Sequence, residues 1–108
     1  MIKLCIQYPA ANSTFFDFDY YLNEHLPMAE KLLRDFGLQS FEVQRCTTTI
    51  AGDDPELLCI TQLEFSSLEE LREGMQEHND ELSADFSRYT DSEPVATVTE
   101  VLATGWSQ

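Results

Sequence analysis

Hydrophobic and polar residues alternate along three parts of the chain, and this period of two predicts β-strands. In the first strand Ile2, Leu4 and Ile6 point to one side, and Pro9 ends the strand because proline cannot donate to a sheet. Turn residues beginning at Gly52 separate the second and third strands, which are therefore expected to form a hairpin. A fourth strand is expected near the end of the chain, so that the predicted strands span residues 2–8, 38–49, 57–65 and 95–103.

Between the first two strands the apolar residues follow the spacing of an amphipathic helix, from about residue 17 to residue 36. Asp17 is a suitable N-cap, and Gly37 supplies the left-handed position that commonly ends a helix. Pro27 predicts a kink or break just after His25, because proline removes one helical hydrogen bond. The predicted apolar stripe of this helix consists of Phe18, Leu22, His25, Ala29, Leu32 and Phe36. Tyr21 lies beside the stripe.

A second amphipathic helix follows the third strand and is opened by Ser66 and Ser67. Gly74 lies inside this helix, where glycine costs about 1 kcal/mol relative to alanine, so it is expected to serve the close approach of another group. The apolar stripe of this helix again includes a histidine, and its members are Leu71, Met75, His78 and Leu82.

The element order β-α-β-β-α-β predicts one ferredoxin-like α+β domain over residues 1–108, with a four-stranded antiparallel sheet and both helices on one face. The other face of the sheet mixes polar side chains with Cys5, Cys46, Leu58 and Ile60. This face is too apolar for full solvation, and it favours a homodimer in which two copies pack through their sheets.

The formal net charge of −14 changes the range of expected partners. Such an acidic chain is not expected to bind nucleic acid or an anionic membrane surface, and it favours a neutral, apolar or aromatic small ligand. The first residues read as a strand rather than a signal peptide, which makes the cytoplasm the expected location. No CxxC motif is present, and the expected state of Cys5, Cys46 and Cys59 is three free, largely apolar thiols rather than a zinc site.

The two histidines are the candidate chemical groups, because the predicted fold turns both of their helix faces toward one interior. His25 and His78 are interpreted as convergent catalytic groups in an apolar pocket, with Tyr21 and Tyr89 near them. A neutral histidine in such a pocket could act as a general base, and a tyrosine could stabilise the resulting oxyanion. The alternative is that both histidines are core residues with satisfied hydrogen bonds. A metal site formed by His25, His78 and Asp85 is a further alternative, but no local spacing supports it, and the expected metal and cofactor content is none.

Two sequence blocks resemble the EthD family, named after a protein of ethyl tert-butyl ether degradation, within the dimeric α+β barrel superfamily. The first block, FDFDYYLNEHLPM at residues 16–28, is similar to the pattern F-D-x-x-Y-Y-x-x-x-H-x-P. The second, HNDELSADFSRYTDSEP at residues 78–94, is similar to H-x-x-E-x-x-x-D-x-x-x-Y-T-x-x-x-P. The resemblance covers nearly the whole chain.

The resemblance implies two ferredoxin-like protomers that join into a barrel, and a small pocket between the sheet and helices of each protomer. Its relatives include oxygenases, isomerases, cyclases and decarboxylases, mostly without a cofactor, so the resemblance does not fix one reaction. The remaining alternative is a ligand carrier or accessory dimer, with Trp106 serving association. The residues expected to contact the ligand are Phe18, Leu22, Met28, Met75, Phe86 and Tyr89.

Overall fold

The computed structural model describes residues 2–107 and contains the four expected strands. They are β1 (Ile2–Pro9), β2 (Leu38–Arg45), β3 (Leu57–Phe65) and β4 (Val95–Glu100). Two strands are shorter than predicted. The last pair of β4 joins Glu100 to Ile2, and the last pair of β2 joins Arg45 to Cys59. The threonines after β2 favour extended backbone, but they enter the turn at Gly52 instead of continuing the strand.

The strands form one antiparallel sheet in the order β2-β3-β1-β4, which confirms the ferredoxin-like topology. The side chains that face the helices come from alternate positions of the two central strands, as the alternation predicts. In β1 these are Leu4 and Tyr8, and in β3 they include Cys59 and Leu63, all four buried. No helix of residues 2–107 has both the length and the apolar composition needed to cross a membrane.

The first helical segment, residues 18–36, consists of four consecutive pieces rather than one kinked α-helix. These pieces are α1 (Phe18–Tyr20), a π-helical turn (Tyr21–His25), α2 (Leu26–Leu33) and a 3₁₀ turn (Arg34–Phe36). Asp17 caps α1 by accepting a hydrogen bond from the backbone of Tyr20, and Gly37 has the left-handed conformation expected of it.

The predicted irregularity near Pro27 is therefore a π-helical turn that precedes the proline. The backbone N–H of Leu26 donates to the carbonyl of Tyr21, five residues back instead of four. Pro27 follows at the start of α2, where its missing N–H costs little. The extra residue in the turn rotates the following helix relative to the preceding one.

This rotation changes which side chains face the sheet. The predicted stripe placed Leu22 and Leu32 beside His25, but Leu22 is 48% exposed and Leu32 is only partly buried. The residues of the segment that are buried are Tyr21, His25, Leu26, Ala29 and Leu33. The hydrogen bond from Leu26 to Tyr21 spans five residues, and a search at the regular helical period does not consider such a turn.

The long helix α3 (Leu68–Ala84) begins with Ser67 as its N-cap and lies on the same face of the sheet as α2. The Gly74 prediction is confirmed, since a Cβ atom at this position would lie 3.0 Å from Cβ of Phe36 and 3.1 Å from Cδ2 of Leu33. The helices can therefore pack closely only because the side chain is absent. Between helices and sheet lie an aliphatic cluster around Leu33 and an aromatic cluster around Tyr21.

Candidate functional site

A cavity of about 110 Å³ lies between the sheet and the helices, where the aliphatic and aromatic clusters meet. For comparison, an apolar cavity of roughly 150 Å³ is known to hold benzene, so this one suits about one ring. Most of its lining is aliphatic, including Leu4, Ile6, Ala29, Leu33, Leu63 and Leu82. Asn79 and Ala96 also line it and are exposed, so the cavity reaches solvent between α3 and β4.

His25 is the imidazole of the cavity lining, and it is only 6% exposed. The π-helical turn carries it, and its Nδ1 lies 2.9 Å from Oδ2 of Asp85. Burial lowers the pKa of the imidazole below its usual value of 6.5, although the hydrogen bond and charge of Asp85 act in the opposite direction. His25 is therefore neutral at pH 7.

Asp85 is oriented by residues from two different parts of the chain. The hydroxyl of Tyr20 donates to its Oδ1 over 2.8 Å, and Nε of Arg88 lies 3.6 Å from the same oxygen. Asp85 is also the C-cap of α3, where the helix dipole disfavours a carboxylate. The contacts with Tyr20, Arg88 and His25, rather than the dipole of α3, therefore stabilise this carboxylate.

The second ring nitrogen of His25 remains available to a ligand. Within residues 2–107, no protein atom makes a hydrogen bond with Nε2, and every fully enclosed side-chain nitrogen or oxygen has a partner. Nε2 is consequently not enclosed, and the cavity is the space that His25 borders. The site thus presents one nitrogen lone pair to an otherwise apolar space.

A network of buried tyrosines forms the wall behind His25. The hydroxyl of Tyr8 lies 2.8 Å from that of Tyr89 and 3.5 Å from that of Tyr21, which in turn lies 2.6 Å from Oγ1 of Thr61. None of these four side chains is more than 1% exposed. Burial raises the pKa of all three phenols, so the network stays neutral and its hydroxyl groups satisfy one another.

Aromatic rings fix the plane of the imidazole. The ring of Tyr21 is stacked on His25 with an interplanar angle of 14° and 5.4 Å between centroids. Tyr89 and Phe86 contact the imidazole at larger angles, with centroid distances of 4.7 and 5.9 Å. Stacking and the Asp85 hydrogen bond together leave the ring few alternative orientations.

The expectation that both histidines face one interior is wrong. His78 does not line the cavity; its Nδ1 lies 2.9 Å from Oε1 of the exposed Glu81, and its ring packs edge-on against Phe36. The periodicity placed His78 on the apolar stripe of α3, but it lies on the edge of that stripe. No group of three potential metal ligands occurs in the part of the chain that is described, and His78 is not part of the Asp85 pair.

The other predicted site residues divide into two groups. Tyr21, Met75 and Phe86 line the cavity with His25, although the hydroxyl of Tyr21 is engaged in the network. Four predicted ligand contacts lie elsewhere. Phe18 packs beneath the guanidinium of Arg45, Leu22 is exposed, Met28 packs on the aliphatic cluster, and Tyr89 is enclosed behind the cavity.

Sequence reasoning missed the main partner of His25, because Asp85 was considered as a metal ligand with the two histidines or as a group that orients His78, and not as the hydrogen-bond partner of His25. It also missed Tyr8 and Thr61, which read as ordinary strand positions. The two sequence blocks contained the missing signal. Tyr21 and His25 belong to the first block, Asp85 and Tyr89 belong to the second, and the structure brings all four together.

No family model matches the sequence, and no curated protein matches it. Several solved structures do match the fold. An EthD-like protein from Ralstonia eutropha is 27% identical, with 94% of this chain and 92% of that chain covered and a TM-score of 0.85. An EthD family protein from Bacillus halodurans is 20% identical, with coverage of 94% and 99% and a TM-score of 0.65.

A third match, a dimeric ferredoxin-like protein from an uncultured marine organism, is 12% identical and has a TM-score of 0.59. The match covers 98% of this chain and 97% of that protein. At this identity the similarity concerns the fold alone. Because all three matches extend over almost the full length of both chains, they confirm the arrangement of strands and helices described above.

Proposed function

We propose that this chain, which has the ferredoxin-like α+β fold and is similar to EthD-like proteins, binds a small apolar or aromatic metabolite in the cavity beside His25. The proposal rests on one observation: a buried, neutral imidazole borders an apolar cavity while a carboxylate holds its other nitrogen. Apolar pockets with one oriented polar group are typical of small-molecule sites. The fold alone does not select this function.

We further propose that His25 acts as a general base on the bound ligand. A neutral imidazole with a free Nε2 can accept a proton, and Asp85 would stabilise the imidazolium that forms. Tyr21 contributes its stacked ring to this role rather than its hydroxyl, which is bonded to Thr61. The geometry gives His78 no part in the reaction.

Binding is tested with benzene as the probe, by following the methyl signals of Ala29, Leu63 and Leu82 in NMR spectra. We expect saturable shifts at these lining residues. Ala96→Leu should weaken the binding, because this exposed β4 residue also lines the cavity. Thr97→Leu is the matched control, since its side chain lies on the opposite face of the same strand. If the lining signals do not move, the cavity is not a binding site.

The natural ligand can be sought by native mass spectrometry of the protein as purified, followed by denaturation and small-molecule analysis. If the released compound is converted by the protein, His25→Gln should slow conversion by about 10²–10⁴-fold and His78→Gln should not. A wild-type protein that binds the compound without converting it would instead be a carrier. The carrier is the second candidate, because the other titratable side chains of the described lining, Tyr8 and Tyr21, have their hydroxyls bonded within the buried network and leave His25 without a second proton-transfer group.

A homodimer through the uncovered face of the sheet is also part of the proposal. The strand register places Cys5, Ile60 and Val95 on this face, and Val95 is 52% exposed. One of the matched structures is described as dimeric. Light scattering over a range of concentrations should give twice the chain mass, and Ile60→Glu should reduce it. A monomer at every concentration would overturn the dimer without affecting the cavity.

The three cysteines bear on where the protein works. Cys5, Cys46 and Cys59 are all free thiols, and burial raises the pKa of Cys59 to about 11, which keeps it unreactive. We therefore include a reducing, cytoplasmic location in the proposal.

A further inference from the structure

We propose that the ligand presents a hydrogen-bond donor, such as a phenolic or enolic hydroxyl, to Nε2 of His25, and that Asp85 creates this preference by fixing the tautomer of the ring. The inference rests on the proposed function, since it names the class of ligand for the same cavity. It predicts discrimination between compounds of one size that differ only in donating or accepting a hydrogen bond.

The tautomer follows from the contact between His25 and Asp85. A carboxylate oxygen only accepts hydrogen bonds, so a separation of 2.9 Å between Oδ2 and Nδ1 requires the proton to lie on Nδ1. Because burial keeps the imidazole neutral, the ring has no second proton. Nε2 therefore carries a lone pair and can accept a hydrogen bond but cannot donate one.

The remaining polar groups near the cavity do not supply a donor to an incoming carbonyl oxygen. The hydroxyls of Tyr8, Tyr21 and Thr61 are bonded within their own network, and these side chains are at most 1% exposed. Asn79 also lines the cavity, but it is exposed at the opening, where water competes for its amide. A carbonyl compound would lose its hydrogen bonds to water on entry and gain none, which costs affinity.

Because Asp85 has a fixed orientation, a substitution at this position can switch the tautomer of His25. The hydroxyl of Tyr20 donates to Oδ1 over 2.8 Å, so this position must hold an acceptor. In Asp85→Asn the amide oxygen would take the place of Oδ1, and the amide nitrogen would face Nδ1 of His25. The nitrogen donates, so Nδ1 must then accept, and the single ring proton moves to Nε2.

The experiment uses three six-membered-ring probes, namely phenol, benzene and cyclohexanone, with dissociation constants measured by NMR titration. The wild type should bind phenol about tenfold more tightly than benzene, the ratio that one net hydrogen bond gives, and cyclohexanone more weakly than benzene. In Asp85→Asn the order of phenol and cyclohexanone should reverse. The ¹⁵N shifts of the His25 ring should report a protonated Nδ1 in the wild type and a protonated Nε2 in the variant.

Glu81→Asn is the matched control, because Glu81 also lies 2.9 Å from a histidine Nδ1 but outside the cavity. It should change neither the probe order nor the ring shifts of His25. If benzene and phenol bind equally to the wild type, the donor preference is wrong and the cavity remains a binding site. If no probe binds, the proposed function fails and this inference fails with it. The wild-type ratio and ring shifts decide the matter even if Asp85→Asn does not fold.

Discussion

The two histidines of this chain have nearly identical first partners and very different surroundings. In both, Nδ1 lies 2.9 Å from a carboxylate oxygen and the ring contacts an aromatic side chain. The carboxylate of His78 comes from Glu81, three residues along the same helix, and is 55% exposed. The carboxylate of His25 comes from Asp85, 60 residues away, and is 13% exposed.

The comparison shows that an imidazole–carboxylate pair does not by itself mark a functional site. The pair at His78 is a local helix contact that forms wherever such residues are three positions apart on an exposed face. The pair at His25 needs the whole fold to form, and it is enclosed by Tyr20, Tyr21 and Phe86. Burial and the free Nε2 make the His25–Asp85 pair, and not the His78–Glu81 pair, a candidate functional site.

Removing the carboxylate beside each histidine should give the largest difference in the free energy of unfolding between the two regions. Asp85→Ala leaves the buried Nδ1–H of His25 without an acceptor, which should lower the free energy of unfolding by about 1–2 kcal/mol after relief of the helix dipole. Glu81→Ala should lower it by less than about 0.5 kcal/mol, since an exposed pair contributes little. Urea unfolding of both variants measures the difference. Equal effects would show that the two pairs are energetically alike.

The packing beside His78 is tested by Gly74→Ala, with a somewhat smaller expected effect. The added Cβ would lie 3.0 Å from Cβ of Phe36, the residue on which His78 packs. The steric cost of roughly 1–3 kcal/mol should exceed the helix-propensity gain of about 1 kcal/mol, for a net loss near 1 kcal/mol. Gly105→Ala, where nothing lies within 4 Å, is the control. A stabilised Gly74 variant would mean that Phe36 and Leu33 can move enough to accommodate the added methyl group.

The smallest expected effect is the pH dependence of stability contributed by His25. Because burial lowers its pKa in the folded state, the unfolded chain binds more protons below about pH 6.5. The stability contributed by His25 is fully present above that pH, and it is lost as the pH falls toward the pKa of His25 in the folded state. It should appear as a difference between wild type and His25→Gln in urea unfolding from pH 7.5 to 5. A difference that grows as the pH falls would contradict a lowered pKa.

Most of the fold was predictable because it depends on local patterns. The period of two located the strands, and the capping residues Asp17 and Ser67 located the helix starts. The strand ends were less predictable, since β2 stops pairing with β3 at Arg45 although β-branched residues continue along the chain to Thr49. Pairing is a property of two segments, and the sequence of one segment does not contain it.

The candidate site was predictable only in part for the same reason. His25 was identified because an imidazole on an apolar stripe is unusual, yet His78 has the same signature and lies outside the cavity. The Asp85 pair depends on where the end of α3 meets the first helical segment, a contact between distant parts of the chain. The π-helical turn also obscured the stripe, since periodicity at 3.6 residues assigned Leu22 to a buried position.

The π-helical turn has a consequence for how sites of this kind could change during evolution. One residue turns an α-helix by about 100°, so deleting a single residue between 21 and 25 would restore a regular helix and carry His25 away from Asp85. The remaining helix and sheet could keep their packing. The position of an imidazole in this cavity thus depends on the extra residue of the π-helical turn as much as on the histidine itself. A single in-frame codon loss would separate proteins of the same architecture into those with an imidazole in the cavity and those without one.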